Sequence, residues 1–392
     1  MKSIQDLQNL EGKKVLLRLD LNVPLKKGEI KDETRINKIL PILDFLLSKN
    51  AKIIIISHVG RPQGKYNSDL SMKPICENLE KKIKKKINLI TEDIRLIKKE
   101  DLLKKFNQDV LILENIRFYK EEESNDLDFS KHLASFGEIY VNEAFSCSHR
   151  AHASVTNITK FLPSYAGPQL NSEVTALKKV TTDIKKPISC IIGGSKISTK
   201  ISIIENLIPK FDNIIFVGGM ANNILSYKKF SIGKSIFEKN CNDIIEKIFN
   251  ASKKNSCSIT YPEDVIVAKE LEGKPIIKQL NEIDDDDMIL DIGPSTINKI
   301  DSLINSSKTI LWNGPAGYFE NPDFANGSYQ IAKSLVKNFK NNSIYSVAGG
   351  GDTIAVINKI NAINDFNFVS TAGGAFLEYL EGKILPGISA LK

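Results

Sequence analysis

Short β-branched runs that end in glycine turns alternate along this chain with longer stretches of helical spacing, and nothing else restricts its fold as much. Residues 14–21, 51–57, 110–113, 139–141, 188–192, 213–217, 288–292, 309–312, 343–347 and 366–369 read as strands, and 34–48, 72–86, 200–209, 242–254, 327–339 and 353–361 read as helices. Such alternation predicts an α/β fold with parallel sheets covered by helices on both faces. The chain has 392 residues, and at ~150 residues per domain two domains are expected. The boundary falls near Pro163 to Pro168, followed by a helical stretch from Glu173 to Ile184 and then Lys185-Lys186-Pro187, where a fresh sheet pattern begins. This gives a domain over 1–168, a hinge helix over 169–186 and a second domain over 187–379.

In such sheets ligands bind where strands end. The chain's strand ends carry two unlike chemistries. In the first part, Arg18, Asp20 and Asn22 follow one another with period two before Pro24, which reads as three polar groups on one strand face or as a solvated edge strand. Arg35 precedes a helix, His58 and Arg61 follow a strand in Ser57-His58-Val59-Gly60-Arg61-Pro62, and Arg117 closes another strand. Arg150 lies in Ser148-His149-Arg150-Ala151-His152. One such residue is an ordinary salt-bridge partner; Arg35, Arg61, Arg117 and Arg150 together fit a multiply charged anion, because the guanidinium fork binds carboxylate and phosphate through paired hydrogen bonds.

The second part relies on glycine and lysine. Gly193-Gly194-Ser195-Lys196-Ile197-Ser198-Thr199-Lys200 spaces two lysines four apart at a strand-to-helix turn, on one helix face, as an anion site or as two solvated side chains. Gly349-Gly350-Gly351-Asp352-Thr353 offers bare N–H groups and a carboxylate suited to Mg²⁺, or else a flexible turn. Gly293, Glu320 and Gly373 sit in similar strand-end turns, and Glu320 is either a ribose ligand or a surface acid. No G-x-x-x-x-G-K-[ST] and no strand-following G-x-G-x-x-G occurs, which removes P-loop and dinucleotide-dehydrogenase chemistry.

The 54 basic residues exceed the 47 acidic ones, for a net charge of +7. The lysines are interspersed with acids and no base-reading motif appears, so nucleic acid is not expected as the primary partner. No apolar run approaches the ~20 residues of a membrane span, and residues 1–19 lack a signal-peptide pattern. A cytoplasmic location is expected. Cys76, Cys147, Cys190, Cys241 and Cys257 are scattered without a C-x-x-C pair and read as reduced thiols.

Taken in order, RLDLNVP, SHVGRP, LENIRF, HRAH, GGSKISTK, FVGGMAN, LDIGP, LWNGPAGYFE, AGGGDT and STAGGAFLEYLEGK resemble the phosphoglycerate kinase family over essentially the whole chain. The resemblance implies two Rossmann-like, doubly wound domains, with residues 380–392 returning to the first. It implies a cytosolic monomer that closes about its hinge and transfers a phosphoryl group between 1,3-bisphosphoglycerate and MgADP, giving 3-phosphoglycerate and ATP in glycolysis or carbon fixation. Carried over motif by motif, Asp20, Asn22, Arg35, His58, Arg61, Arg117 and Arg150 bind the phosphoglycerate. Lys196, Lys200, Gly293, Glu320, Gly349, Gly350, Gly351, Asp352 and Thr353 bind the nucleotide, with Asp352 on Mg²⁺. Arg35, Lys196, Lys200 and the helix N-termini at Gly350 and Gly373 hold the moving phosphoryl group. The chain departs from the family pattern at Ala372, which replaces a glycine and would be strained at positive φ, at Glu143 in place of Asp, and at Ser146-Cys147-Ser148.

Overall fold

The computed structural model describes residues 1–26, 28–106 and 109–392. The strands in chain order are β1 (Lys14–Arg18), β2 (Leu25–Lys26), β3 (Glu29–Ile30), β4 (Lys52–Ile56), β5 (Ile87–Ile90), β6 (Val110–Leu113), β7 (Ile139–Asn142), β8 (Ser164–Ala166) and β9 (Ile188–Ile192). They continue as β10 (Asn213–Phe216), β11 (Ser258–Thr260), β12 (Asp264–Ala268), β13 (Ile276–Gln279), β14 (Met288–Ile292), β15 (Thr309–Asn313), β16 (Tyr345–Gly349) and β17 (Phe368–Ser370). Two compact units result. One comprises Met1–Val174 with Ile384–Lys392, the other Thr175–Lys383. The division falls inside the helix Pro168–Thr181, which starts earlier than the spacing suggested.

The first unit is built on a six-stranded sheet in the order β5-β6-β4-β1-β7-β8, parallel throughout. Ile53, Ile54, Ile55 and Ile56 of β4 are all fully buried, because helices cover both faces of such a sheet. Each contributes roughly 1.5–3 kcal/mol by leaving water. The helix Thr34–Ser48 presents Ile36, Ile39, Ile42, Leu43 and Leu46 to this core. It ends where Asn50 adopts φ 55 and the Ala51 N–H bonds Leu46 O, a left-handed C-terminal cap that feeds β4. Arg35 is thereby fixed in the first turn of a well-anchored helix. Within the same unit the C-terminal helix Pro386–Ser389 is tied down by Gly387 N–H donating to Ser148 O at 2.9 Å.

The second unit carries a parallel sheet in the order β11-β10-β9-β15-β16-β17. Met288–Ile292 does not join it. As β14 it pairs antiparallel with β12, which pairs antiparallel with β13, forming a separate three-stranded sheet. Parallel and antiparallel strands share the same apolar composition, so the run alone did not separate them. Among the described residues no helix is long and apolar enough to cross a membrane, and all five cysteines are free and buried.

Candidate functional site

In the first unit, the segments after four adjacent strands, β6, β4, β1 and β7, carry Arg117, His58 with Arg61, Asp20 with Asn22, and Ser146 to Arg150. Sheet order thus gathers residues that are far apart in sequence. β1 ends at Arg18, so the period-two face expected through Asn22 does not exist. Arg18 is fully buried, while Asp20 and Asn22 lie in the following loop. Asp20 accepts Arg35 Nη1 at 2.8 Å and Ser146 Oγ at 2.5 Å, so one of the departing residues helps fix this carboxylate. Asn22 Oδ1 accepts the Gly60 N–H at 2.8 Å, and Gly60 O accepts Arg117 Nη1 at 3.0 Å. Arg61 and Arg150 are exposed and make no ion pair among the described residues.

The charges there are felt by the neighbouring imidazoles. His58 is held well below the ordinary histidine range by burial, with the Arg18, Arg117 and Arg35 charges acting in the same direction. His152 is lowered to about 3 by burial and by Arg117, Arg18 and Arg150. Both rings are neutral at pH 7, and the arginines supply the positive charge. Cys147 is buried, and burial pushes its thiol up, which makes it a poor target for oxidation.

The second unit also gathers its site at adjacent strand ends, β10, β9, β15, β16 and β17. The turns after β9 and β15 touch backbone to backbone: a Cβ on Gly193 would lie 2.4 Å from Pro315 O, so only glycine fits. Lys200 Nζ donates to Gly193 O at 2.6 Å, Asn313 Oδ1 at 2.7 Å and Asn313 O at 3.2 Å. Asn313 Nδ2 in turn donates to Gly349 O at 2.6 Å, and Thr353 Oγ1 accepts the Gly314 N–H at 2.8 Å. Burial lowers the Lys200 ammonium to about 8. Lys196 and Lys200 do not share a helix face. Residues Ser198–Lys200 form a 3₁₀ turn and the α-helix begins at Ile201, leaving Lys196 exposed ahead of it.

Beside these turns lies a cleft of about 930 Å³, with Gly194, Gly218 and Gly219 on one side and Ile236, Met288 and Leu290 among its apolar lining. Glu320 and Asp352 also line it. Asp352 lies in the first turn of helix Gly351–Lys359 and is exposed, and its carboxylate has no hydrogen bond or ion pair among the described residues. Gly350 caps that helix at φ 101, and Gly373 caps Gly374–Leu380 at φ 55. Ala372 is not in the left-handed region, so the expected strain is absent. Gly293 does not line the cleft: it packs on Asp264, whose carboxylate accepts the Ser295 and Thr296 N–H groups.

Sequence reasoning missed Asn313, Ser146 and the apolar wall. Asn313 stands in the quoted Asn-Gly-Pro turn, where its side chain was a findable signal; Ile236, Met288 and Leu290 look like any core residue.

The family model described as phosphoglycerate kinase matches residues 4–383. A phosphoglycerate kinase of Wolbachia pipientis wMel is 45% identical over 394 residues, covering 100% of this chain and 99% of that protein. That of Chelativorans sp. (strain BNC1) is 40% identical over 393 residues, with 100% and 99% covered. The phosphoglycerate kinase structure from Coxiella burnetii is similar with a TM-score of 0.91 at 38% identity, covering 99% of this chain and 98% of that one. The Pyrococcus horikoshii OT3 structure gives a TM-score of 0.80 at 28% identity, covering 100% and 98%. A match over this much sequence and fold, on a chain whose two units gather arginines at one set of strand ends and glycines with a lysine at the other, shows that it belongs to the phosphoglycerate kinase family.

Proposed function

We propose that the arginine cluster of the first unit binds the phosphoglycerate and the cleft of the second binds the magnesium nucleotide, the division of labour by which this kinase moves a phosphoryl group between 1,3-bisphosphoglycerate and ADP. The observation that carries it is the contrast in the two sites: Arg61 and Arg150 without ion pairs among the described residues and Arg35 held to Asp20 through Nη1, against a glycine-walled cleft with an apolar side. Arg35, Arg61, Arg117, Arg150 and His58, with Asp20 and Asn22 holding the geometry, suit a small molecule bearing a carboxyl and a phosphate. Ile236, Met288 and Leu290 suit a nucleobase face, and Glu320 suits ribose hydroxyls. The Gly349-to-Thr353 turn supplies N–H groups at a helix start for the nucleotide phosphates.

Asp352 fits Mg²⁺, which takes one or two carboxylates and fills its shell with water and phosphate oxygens; this carboxylate is exposed and unpaired among the described residues. When bound, the ion neutralises charge on the nucleotide phosphates. The reacting carboxylate of phosphoglycerate is ionised at neutral pH, so the chain needs no general base. Its residues position and stabilise charge: Arg35, Lys200 and Lys196 meet the equatorial oxygens, and the N–H groups at Gly350 and Gly373 add fixed dipoles. Lys200 must exchange neutral acceptors for phosphate oxygens, a change that favours its ammonium form further. Because donor and acceptor are held by different units, hinge closure brings them together and excludes water. The enzyme acts as a cytoplasmic monomer. A coupled assay with 3-phosphoglycerate and ATP, following 1,3-bisphosphoglycerate through glyceraldehyde-phosphate dehydrogenase, should show turnover that requires Mg²⁺; turnover unaffected by chelation would contradict the Asp352 assignment.

A further inference from the structure

We infer that Arg18 is a positioning residue that fixes the His58 ring as the neutral tautomer protonated on Nε2, so that the ring meets the anionic substrate only as a donor. Arg18 is fully buried at the end of β1. Its Nε donates to Ser154 Oγ at 2.9 Å, Nη1 to Leu19 O at 2.5 Å, and Nη2 lies 3.2 Å from His58 Nδ1. A guanidinium has five donors and no acceptor. Nδ1 must therefore offer its lone pair. Cys147 Sγ, which accepts from Arg18 Nη2 at 3.8 Å, lies 4.0 Å from Nδ1, and its thiol, kept protonated by burial, can donate weakly to the same lone pair.

A neutral imidazole carries one N–H, which this arrangement sends to Nε2. Nε2 has no hydrogen-bond partner among the described residues, so its proton is free for an incoming oxygen. The opposite tautomer, and equally the imidazolium, would set N–H against N–H. Arg18 is itself held: Ser154 Oγ donates to Glu122 Oε1 at 2.7 Å and Ser154 N–H to Oε2 at 2.8 Å. Glu122 is fully buried, and through Ser154 it serves as the counter-charge that keeps the buried guanidinium in place.

The inference rests on the reading of His58 as a substrate-facing residue, and nitrogen NMR separates the two. In the full-length chain labelled with ¹⁵N-histidine at pH 7, with His58 assigned by loss of its signals in H58Q, we expect a pyridine-type Nδ1 and a pyrrole-type Nε2. A pyrrole-type Nδ1, or a doubly protonated ring, overturns the inference without touching the substrate site. Saturating 3-phosphoglycerate should move the Nε2 signal; a silent Nε2 in the expected tautomer overturns the donor role and the substrate-facing reading together. R18M should give a mixture of tautomers and raise KM for 3-phosphoglycerate about tenfold, the loss expected of one hydrogen bond to a charged group, with KM for MgADP unchanged. R18K, again a donor only, should restore the Nε2 tautomer. A folded R18M that keeps a pure Nε2 proton removes Arg18 from the role; if R18M does not fold, the wild-type spectrum still decides.

Discussion

On the proposed reading, the two units handle negative charge by different means. The first places Arg117, Arg61 and Arg150 in the segments after β6, β4 and β7 and Arg35 at the start of the helix Thr34–Ser48, with neutral His58 and His152 among them. The second uses backbone N–H groups in glycine turns and one lysine whose ammonium is held by Gly193 O and Asn313. Guanidinium forks impose direction and suit a small, rigid anion; backbone donors accept a chain of phosphates whose oxygens shift during reaction. The contrast teaches that two proposed phosphate-binding sites on similar sheets need not share any chemistry beyond their place at the strand ends.

The strongest way to break this comparison is to remove a residue expected to act on the moving phosphoryl group. Arg35→Ala should lower kcat by 10² to 10³, roughly 3–4 kcal/mol, while leaving the affinity for MgADP unchanged. A loss of nucleotide affinity measured by titration would show that the units are not chemically separate. Next in size, Arg117→Ala should raise KM for 3-phosphoglycerate about tenfold or more with little change in KM for ADP.

The pH dependence sharpens the contrast from the other side. Burial lowers Lys200 to about 8, below its usual value, so the ammonium predominates at pH 7 and is lost as pH rises through about 8. Since the charged form is needed, kcat/KM for MgADP should fall above pH 8 and approach a tenfold loss per pH unit. The kcat profile, read with nucleotide bound, should bend at higher pH because phosphate favours the ammonium. His58 is already neutral, so it should add nothing to the acid-side loss in kcat/KM for 3-phosphoglycerate, which should follow the substrate phosphate alone, with its second pKa of about 6. The smallest expected effect separates neighbours: Gly373→Ala, at φ 55, should cost about 1 kcal/mol in unfolding experiments, whereas Ala372→Gly should change stability by less than that.

Much of this was legible in the chain. The helices Thr34–Ser48 and Asn242–Lys254 have the bounds that their spacing suggested, because amphipathic stripes and flanking turn residues agree there. Arginine and histidine at strand ends stood out for the same reason: such side chains are seldom placed there without a charged partner. Three features stayed hidden. β14 looked like a parallel strand because pairing direction leaves no mark in an apolar run. Arg18 looked like part of a polar face, whereas the strand ends at that residue and its guanidinium turns inward to Ser154 and His58. The wall formed by Ile236, Met288 and Leu290 comes from two separate segments, the loop at Ile236 and β14, that only the tertiary fold brings to one cleft.

The measurement closest to the central claim is calorimetric titration of 3-phosphoglycerate and of MgADP, separately, into the wild-type chain, Arg117→Ala and Glu320→Ala. The account predicts a crossed pattern: Arg117→Ala weakens 3-phosphoglycerate alone and Glu320→Ala weakens MgADP alone. Equal weakening of both ligands by either substitution in a folded protein would contradict the division of the site between the two units.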